Sequence, residues 1–542
     1  MMVKTILDIK KGILLVLSLA FIAFIGCEKQ EDQTADGAVT ISIDPGQKYQ
    51  TIDGFGASDA WRTQFVGKNW PLEKRERIAD LLFSQDVDSA GNPRGIGLSL
   101  WRFYIGAGSK EQGEQSGIAN EWRRAPSFLD VNGNWDWSKY QGQRWFLNAA
   151  RERGVDQFLA FTISPPVFMT KNGKAFGPAP KYMNIQEGKM DDYADFLVNI
   201  IDHFHNKEGL TFDYISPINE PQWDWTTGKQ EGTPATNAEM YELTKLISVR
   251  LSERNLPTQI TLGEAGRLKF LTGETNRTER DDQIRAFFDP SSEYYIGDLS
   301  KVKPIISGHS YHSVWPVDSL RIEREHLSSR LNEVDSSLGY WQSEYCILKE
   351  NDDVDGGWGR DLGMNTALYV ARTIHHDMTI AKAKSWQWWT ALSQFNYKDG
   401  LIFLDNGANG VESLDDPQMD SLKHDGNVRE SKLLWALGNY SRFVRPGMKR
   451  VEAGYERDLM SQASSLMVSS YLDEAIGQLA TVIVNYSEED ERVELSIDGE
   501  YSESSQLETY ITSSTMDLEK RMVDAEDMEI PARSIVTILT DI

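Results

Sequence analysis

The chain has 542 residues, 40 % hydrophobic and 11 % aromatic, with a formal net charge of −26 at pH 7. This composition excludes a disordered chain and allows a large domain with a smaller one. The charge argues against nucleic acid or an anionic membrane surface as an electrostatic partner, unless a local basic pocket overrides it. Neutral glycans fit better, and 16 Trp and 20 Tyr offer faces on which sugar rings stack.

Lys4, Lys10 and Lys11 precede an apolar run over residues 13–25 that is too short for a membrane span and is flanked as an export signal is. The run ends in Phe24-Ile25-Gly26-Cys27, which resembles a bacterial lipoprotein processing site, with Phe24 where Leu is usual. Residues 1–27 are therefore read as a lipoprotein signal peptide, Cys27 as the lipidated first residue of the mature chain, and residues 28–38 as a flexible tether. The expected place is the outer membrane of a bacterial envelope, with lipid contact only through the anchor and the protein itself a monomer. Only Cys346 follows Cys27, so no disulfide is expected within the mature chain and the fold must rest on its core.

Residues 39–50 contain an alternating run predicted to add a strand to a sheet built by the end of the chain. Apolar runs separated by helical segments then recur, predicting strands near 51–56, 97–105, 155–162, 212–218, 259–263, 304–309, 340–343 and 384–389. Eight such strands close a (β/α)8 barrel, here over residues 51–440. Helices are clearest over 137–153 and 190–205; in the second, Tyr193, Phe196, Leu197, Ile200, Ile201 and Phe204 form one apolar stripe. The loop over 106–135 is long, Gly-rich and charged, and long loops in compact domains are commonly functional. After Arg445-Pro446-Gly447 the runs become short and alternating, at 479–484, 493–497 and 534–539. Residues 441–542 are accordingly predicted to form an antiparallel β-sandwich.

Asn219 and Glu220 close the fourth run, in ISPINEPQW, and Glu344 closes the seventh, in YWQSEYC. The C-terminal ends of parallel barrel strands converge on one pocket. Two carboxyls placed there suit cleavage of a glycosidic bond, one protonating the leaving oxygen and the other attacking or supporting the sugar carbon. Metal chemistry is not expected. His309 and His312 are three apart on a predicted strand and so point to opposite faces, His375 and His376 are adjacent, and no cysteine pair exists. No Gly-rich phosphate loop of recognised spacing occurs, so no cofactor is expected, and Cys346 is read as a buried inert thiol.

An ordered set of motifs resembles glycoside hydrolase family 30, a family of retaining barrel glycosidases. It runs through DGFGASDAW (53–61), WRFYIG (101–106), SPPVFMTKNG (164–173), INEP (218–221), SGHSYH (307–312), QSEY (342–345), SWQWW (385–389) and YSRFVRPG (440–447). The resemblance implies Glu220 as general acid/base and Glu344 as nucleophile, with carboxyls about 5–5.5 Å apart. It further implies that Arg102 holds Glu344 ionised, that Asn219 donates to the sugar 2-hydroxyl, and that Tyr311 of the His309-x-Tyr311 pattern bonds Glu344. Trp389 would floor the cleaved sugar, with Trp386 as a second candidate. Trp223 and Trp225 would stack on neighbouring sugars, and Asp59 and Trp61 could contact substrate. Ile163 stands where many members have Trp before Ser-Pro-Pro, and WRFYIGAGS lacks the acidic residue of glucosylceramide-cleaving relatives. The opening GFGASDAW looks closest to the endo-β-1,6-galactanase branch. A β-1,6-glucanase, a xylanase, an exo-β-glycosidase and a non-catalytic glycan-binding lipoprotein are the alternatives.

Overall fold

The structure, a computed structural model, describes residues 38–348, 351–407, 409–457, 459–501 and 506–542. The expected signal peptide with Cys27, and the tether but for Ala38, lie outside the described residues. Among the described residues no helix is long and apolar enough to cross a membrane.

The described chain enters on β1 (Val39–Thr51), which belongs to the C-terminal sheet. Eight parallel strands then close a barrel in chain order: β2 (Gly54–Ser58), β3 (Leu100–Ile105), β4 (Gln157–Thr162), β5 (Tyr214–Ser216), β6 (Gln259–Ala265), β7 (Val302–His309), β8 (Gly339–Tyr345) and β9 (Ala383–Trp388). Each predicted run supplies one of them. The fourth run shortens to Tyr214–Ser216, which leaves Pro217 to Glu220 as a loop above the barrel.

Strand alternation divides the side chains between two layers. On β3, Leu100 and Tyr104 join Leu159, Phe161, Ile305 and Trp341 in an inner cluster, and Arg102 sits between them on the same face. Trp101, Phe103 and Ile105 point the other way, into the core beneath the helices. The helix Met190–Glu208 buries all six residues of its predicted stripe and ends at Gly209, whose φ of 64° is the left-handed conformation that terminates helices.

The long loop after β3 is tied down at its start. Glu231, fully buried, accepts from the Tyr104 hydroxyl, from Ala107 N at 2.9 Å and from Ser109 N at 3.3 Å. Burial raises its pKa to about 7 against those bonds. Nothing in the sequence pattern singled out Glu231.

A small sheet of β10 (Leu392–Ser393), β11 (Ile402–Asp405) and β12 (Asn427–Glu430) follows the barrel. The C-terminal sheet is built from β13 (Lys449–Gly454), β14 (Leu466–Asp473), β15 (Gln478–Asn485), β16 (Glu491–Ile497), β17 (Glu500–Tyr501), β18 (Gln506–Thr512), β19 (Glu519–Asp524), β20 (Met528–Ile530) and β21 (Ser534–Asp541). Its order is β17-β16-β1-β13-β14-β15-β21-β18-β19, with β20 also on β16. Pairing is antiparallel except between β1 and β16, so the N-terminal strand does join this sheet. Val468, Ile483 and Ile538 line its own core, while the alternate residues Met467, Val482 and Tyr471 face the barrel core. Asn439 of the helix Lys432–Ser441 locks the two parts together, donating to Tyr510 O at 3.0 Å and accepting from the Thr537 hydroxyl at 2.7 Å.

Candidate active site

The buried charged residues gather where the barrel strands end. Arg102, fully buried on β3, donates to Glu344 Oε2 and to Glu264 Oε2, both at 3.3 Å, and to the Ser343 carbonyl at 2.6 Å. Its guanidinium lies 4.4 Å from the centre of the Phe161 ring, a cation–π contact that replaces water beneath it. Tyr311 donates to Glu344 Oε1 at 3.2 Å. His309 places Nδ1 at 2.9 Å from Glu220 Oε1 and 3.6 Å from Glu344 Oε1, and Nε2 at 3.0 Å from Glu264 Oε2. One oxygen of Glu220 and one of Glu344 lie within 4.8 Å of each other.

Simple alternation would not have put these carboxyls here. On β8, Tyr340 faces outward and Trp341 inward, so Glu344 should share the outward face of Tyr340. The register with β7 passes from Gly308↔Gln342 to His309↔Glu344, which leaves Ser343 as an extra residue. That β-bulge turns Glu344 into the barrel. The same device operates on β6, whose register passes from Leu262↔Ile306 to Ala265↔Gly308. There Gly263 has φ 110° and Glu264 φ 43°, and a Cβ on Gly263 would lie 2.4 Å from Ser307 O, so only glycine fits. Glu220 also has a positive φ, 45°, held by its N–H donating to Glu264 O at 2.8 Å and by Trp225 Nε1 donating to its carbonyl at 2.9 Å. Such conformations are costly for a residue with a side chain and cluster at functional sites.

Glu264 is the residue that sequence reasoning missed. It closes an apolar run, ITLGEAG, just as Glu220 and Glu344 close theirs, and that criterion could have found it. Burial pushes its carboxyl up, but His309, Arg102 and Ser343 outweigh burial and hold it below the usual range. Burial alone would lower His309; Glu344, Glu220 and Glu264 overcome it and push the imidazole from 6.5 up to about 10. Burial raises Glu344, and Glu220 and Glu264 push the same way, against His309 and Arg102. Arg102 and His309 thus face three carboxyls, Glu220, Glu264 and Glu344, in one buried cluster.

Glu220, His309 and Glu344 offer atoms close enough for one ion. Both ring nitrogens of His309, however, point at carboxylates, and an imidazolium has no lone pair to give.

The charge on His309 yields a pH test. The folded pKa of about 10 exceeds the ordinary 6.5, so this proton stabilises the fold fully below pH 6.5, and the contribution is lost as pH rises through 10. In urea unfolding, stability should fall across that window. Glu264→Gln removes one of the three carboxylates, so the fall should be complete at a lower pH. Superimposable pH profiles for the two proteins would exclude the charged His309.

The remaining predicted residues are placed as follows. Asn219 is buried beside Glu220, and its Oδ1 has no partner among the described residues. Trp389, just past β9, is half-buried, edge-on to Trp61 with ring centres 5.1 Å apart and to Phe161 at 6.3 Å. Ile163 belongs to the same cluster. Trp223 packs edge-on against Phe270 and lies beneath the Arg267 guanidinium. One placement corrects the expectation. Trp386 lies in the outer core, stacked on Trp388 and donating to Asp377 Oδ2 at 2.9 Å, because strand alternation turns it away from the barrel. Asp59 is 1 % exposed and accepts from Tyr104 N at 2.9 Å, joining the ends of β2 and β3, while its Oδ2 has no partner among the described residues. His309 and Tyr311 do converge, but not as neighbours on a strand: β7 ends at His309, and Tyr311 reaches Glu344 from the turn beyond. Cys346 is buried with its Sγ 3.9 Å from the Tyr311 hydroxyl, and burial pushes its thiol well up, away from the reactive thiolate.

A family model for O-glycosyl hydrolase family 30 matches residues 38–403. The chain belongs to glycosyl hydrolase family 30. This family 30 protein is 24 % identical over 390 residues to an endo-beta-1,6-galactanase of Hypocrea rufa, covering 69 % of this chain and 71 % of that one. Among solved structures it resembles a conserved exported protein from Bacteroides fragilis, with 38 % identity, a TM-score of 0.86, and 92 % of this chain and all of that one covered. The catalytic domain of xylanase C from Talaromyces cellulolyticus, 21 % identical with a TM-score of 0.65 over 92 % of this chain and 99 % of that one, shares the fold. As a member of this family, the protein is a glycoside hydrolase.

Proposed function

We propose that the protein is a retaining endo-β-1,6-galactanase in which Glu344 is the nucleophile and Glu220 the general acid/base. The observation that carries retention is the separation of the two carboxyls, whose nearest oxygens lie within 4.8 Å. That spacing is nearer the short separation of a retaining pair, which suits direct attack, than the longer one in which an inverting pair holds a water. The assignment of roles rests on unequal support. Glu344 accepts from both Arg102 and Tyr311, donors that favour a carboxylate, whereas among the described residues Glu220 meets only His309 through its carboxyl. In these roles Glu220 delivers a proton to the leaving oxygen as Glu344 attacks the anomeric carbon. When Glu344 has become an ester, Glu220 takes a proton from the incoming water. The unpartnered Oδ1 of buried Asn219 is ready to accept from a sugar hydroxyl, and the exposed part of Trp389 offers a face to the ring.

Galactan specificity is favoured by the likeness to the Hypocrea rufa enzyme. Glucanase, xylanase and exo-acting readings share the same chemistry. Products from β-1,6-galactan, β-1,6-glucan and xylan should separate them: oligosaccharides from galactan alone are expected, and faster release from another glycan would displace the galactanase reading. Proton NMR of the first-formed product should show the β-anomer, and initial α-anomer would contradict retention.

The segment through Cys27 supports export and lipid anchoring, with the enzyme held at the outer membrane by its tether. Cys27→Ala should abolish labelling by palmitate and release the protein from membranes. Unchanged membrane association would remove the anchor from the proposal.

A further inference from the structure

In a chain of net charge −26, a group of lysines with little counter-charge stands out. Lys68, Lys110 and Lys139 line a recess of about 390 Å³ between the helix Thr63–Asn69, which follows β2, and the start of the helix Gln141–Glu152, which follows β3. Glu111 is the one carboxylate in the lining. Lys139 is occupied, pairing with Glu111 at 2.8 Å and donating to the Ser127 carbonyl at 2.6 Å. Lys110 reaches Gln64 Oε1 at 3.2 Å, and among the described residues Lys68 has no carboxylate partner. Burial and the Lys68 ammonium lower the pKa of Lys110, against the pull of Glu111 and Glu121. This is the behaviour of cations held together with too few anions between them.

Two further features supply N–H donors. The helix Gln141–Glu152 begins at Tyr140 without a side-chain cap and without an acidic residue in its first turn, so no side chain of its own end offsets the positive end of its dipole. Gln143 is only 2 % exposed, yet it lines the recess, and its side-chain amide has no partner among the described residues. Its amide is thus open to an acceptor in the recess.

We propose that this recess is an oxyanion-binding site, distinct from the catalytic cleft. Lys68 and Lys110 supply the charge, and Gln143 and the helix start supply the hydrogen bonds. Its ligand is a carboxylate on an acidic sugar of the glycan or an inorganic phosphate, which share planar or tetrahedral anionic oxygens that such donors recognise. The assignment does not depend on which glycosidic linkage Glu220 and Glu344 cleave.

Calorimetric titration of the full chain with sodium glucuronate, inorganic phosphate and neutral galactose tests it. At least one anion should bind saturably in the millimolar range or tighter, more weakly as salt is added. Lys110→Met and Lys68→Gln should each weaken that binding by about tenfold while hydrolysis of a nitrophenyl glycoside stays unchanged. Gln143→Leu should weaken it too, with an unaltered melting temperature confirming that the variant is folded. Binding of glucuronate alone would assign the site to an acidic substituent of the substrate, and binding of phosphate would assign it to a free ion. No saturable binding of either anion, or binding that neither lysine variant weakens, overturns the proposal.

Discussion

Glu344→Gln is expected to lower turnover by roughly 10,000-fold or more while leaving the fold and glycan binding nearly intact. The amide has the shape of the carboxylate, so packing around β8 should survive. It is a far poorer nucleophile, and its NH2 cannot accept from both Arg102 and Tyr311 as the two carboxylate oxygens do. The substitution also removes one negative charge from the buried cluster around Arg102 and His309. Initial rates on a nitrophenyl glycoside and on polymeric glycan measure the loss, with circular dichroism and calorimetry as controls for folding and binding. A variant as active as the wild type would remove Glu344 from the mechanism.

Glu220→Ala should behave differently with different leaving groups. General acid catalysis is worth roughly 100- to 10,000-fold where the departing oxygen needs a proton, as in a natural glycan. A dinitrophenyl glycoside needs almost no protonation, so glycosylation of Glu344 should stay fast and the intermediate should accumulate. The second step then lacks its base, and added azide, which needs none, should restore turnover. Equal losses on good and poor leaving groups, with no response to azide, would contradict the acid/base role. Because Glu220 is held by its backbone contacts to Glu264 and Trp225, truncating its side chain should leave the loop in place.

Much of the architecture could be read from residue patterns. Each of the eight apolar runs became a barrel strand, and the alternating run at the start of β1 joined the C-terminal sheet, because period and length are local properties of the chain. The positions of Glu220 and Glu344 at strand ends were legible for the same reason. Trp386 was misjudged because a tryptophan near a strand end looks alike whether it faces the barrel or the helices, and the neighbouring Trp389 escapes the strand entirely. Glu231 was invisible because its partners, Tyr104, Ala107 and Ser109, are more than a hundred residues away.

What the sequence by itself determined is therefore the strand order, the fold class and which carboxyls stand at strand ends. It also contained the reason for Arg102 and His309 facing inward, since both keep step with the inner residues of β3 and β7. Only the tertiary structure decided that Glu264 and Glu344 face the same pocket. Their parity along the strand points them outward, and the bulges on β6 and β8 reverse it. A bulge is a mismatch in count between two strands, so it exists only once those strands are paired.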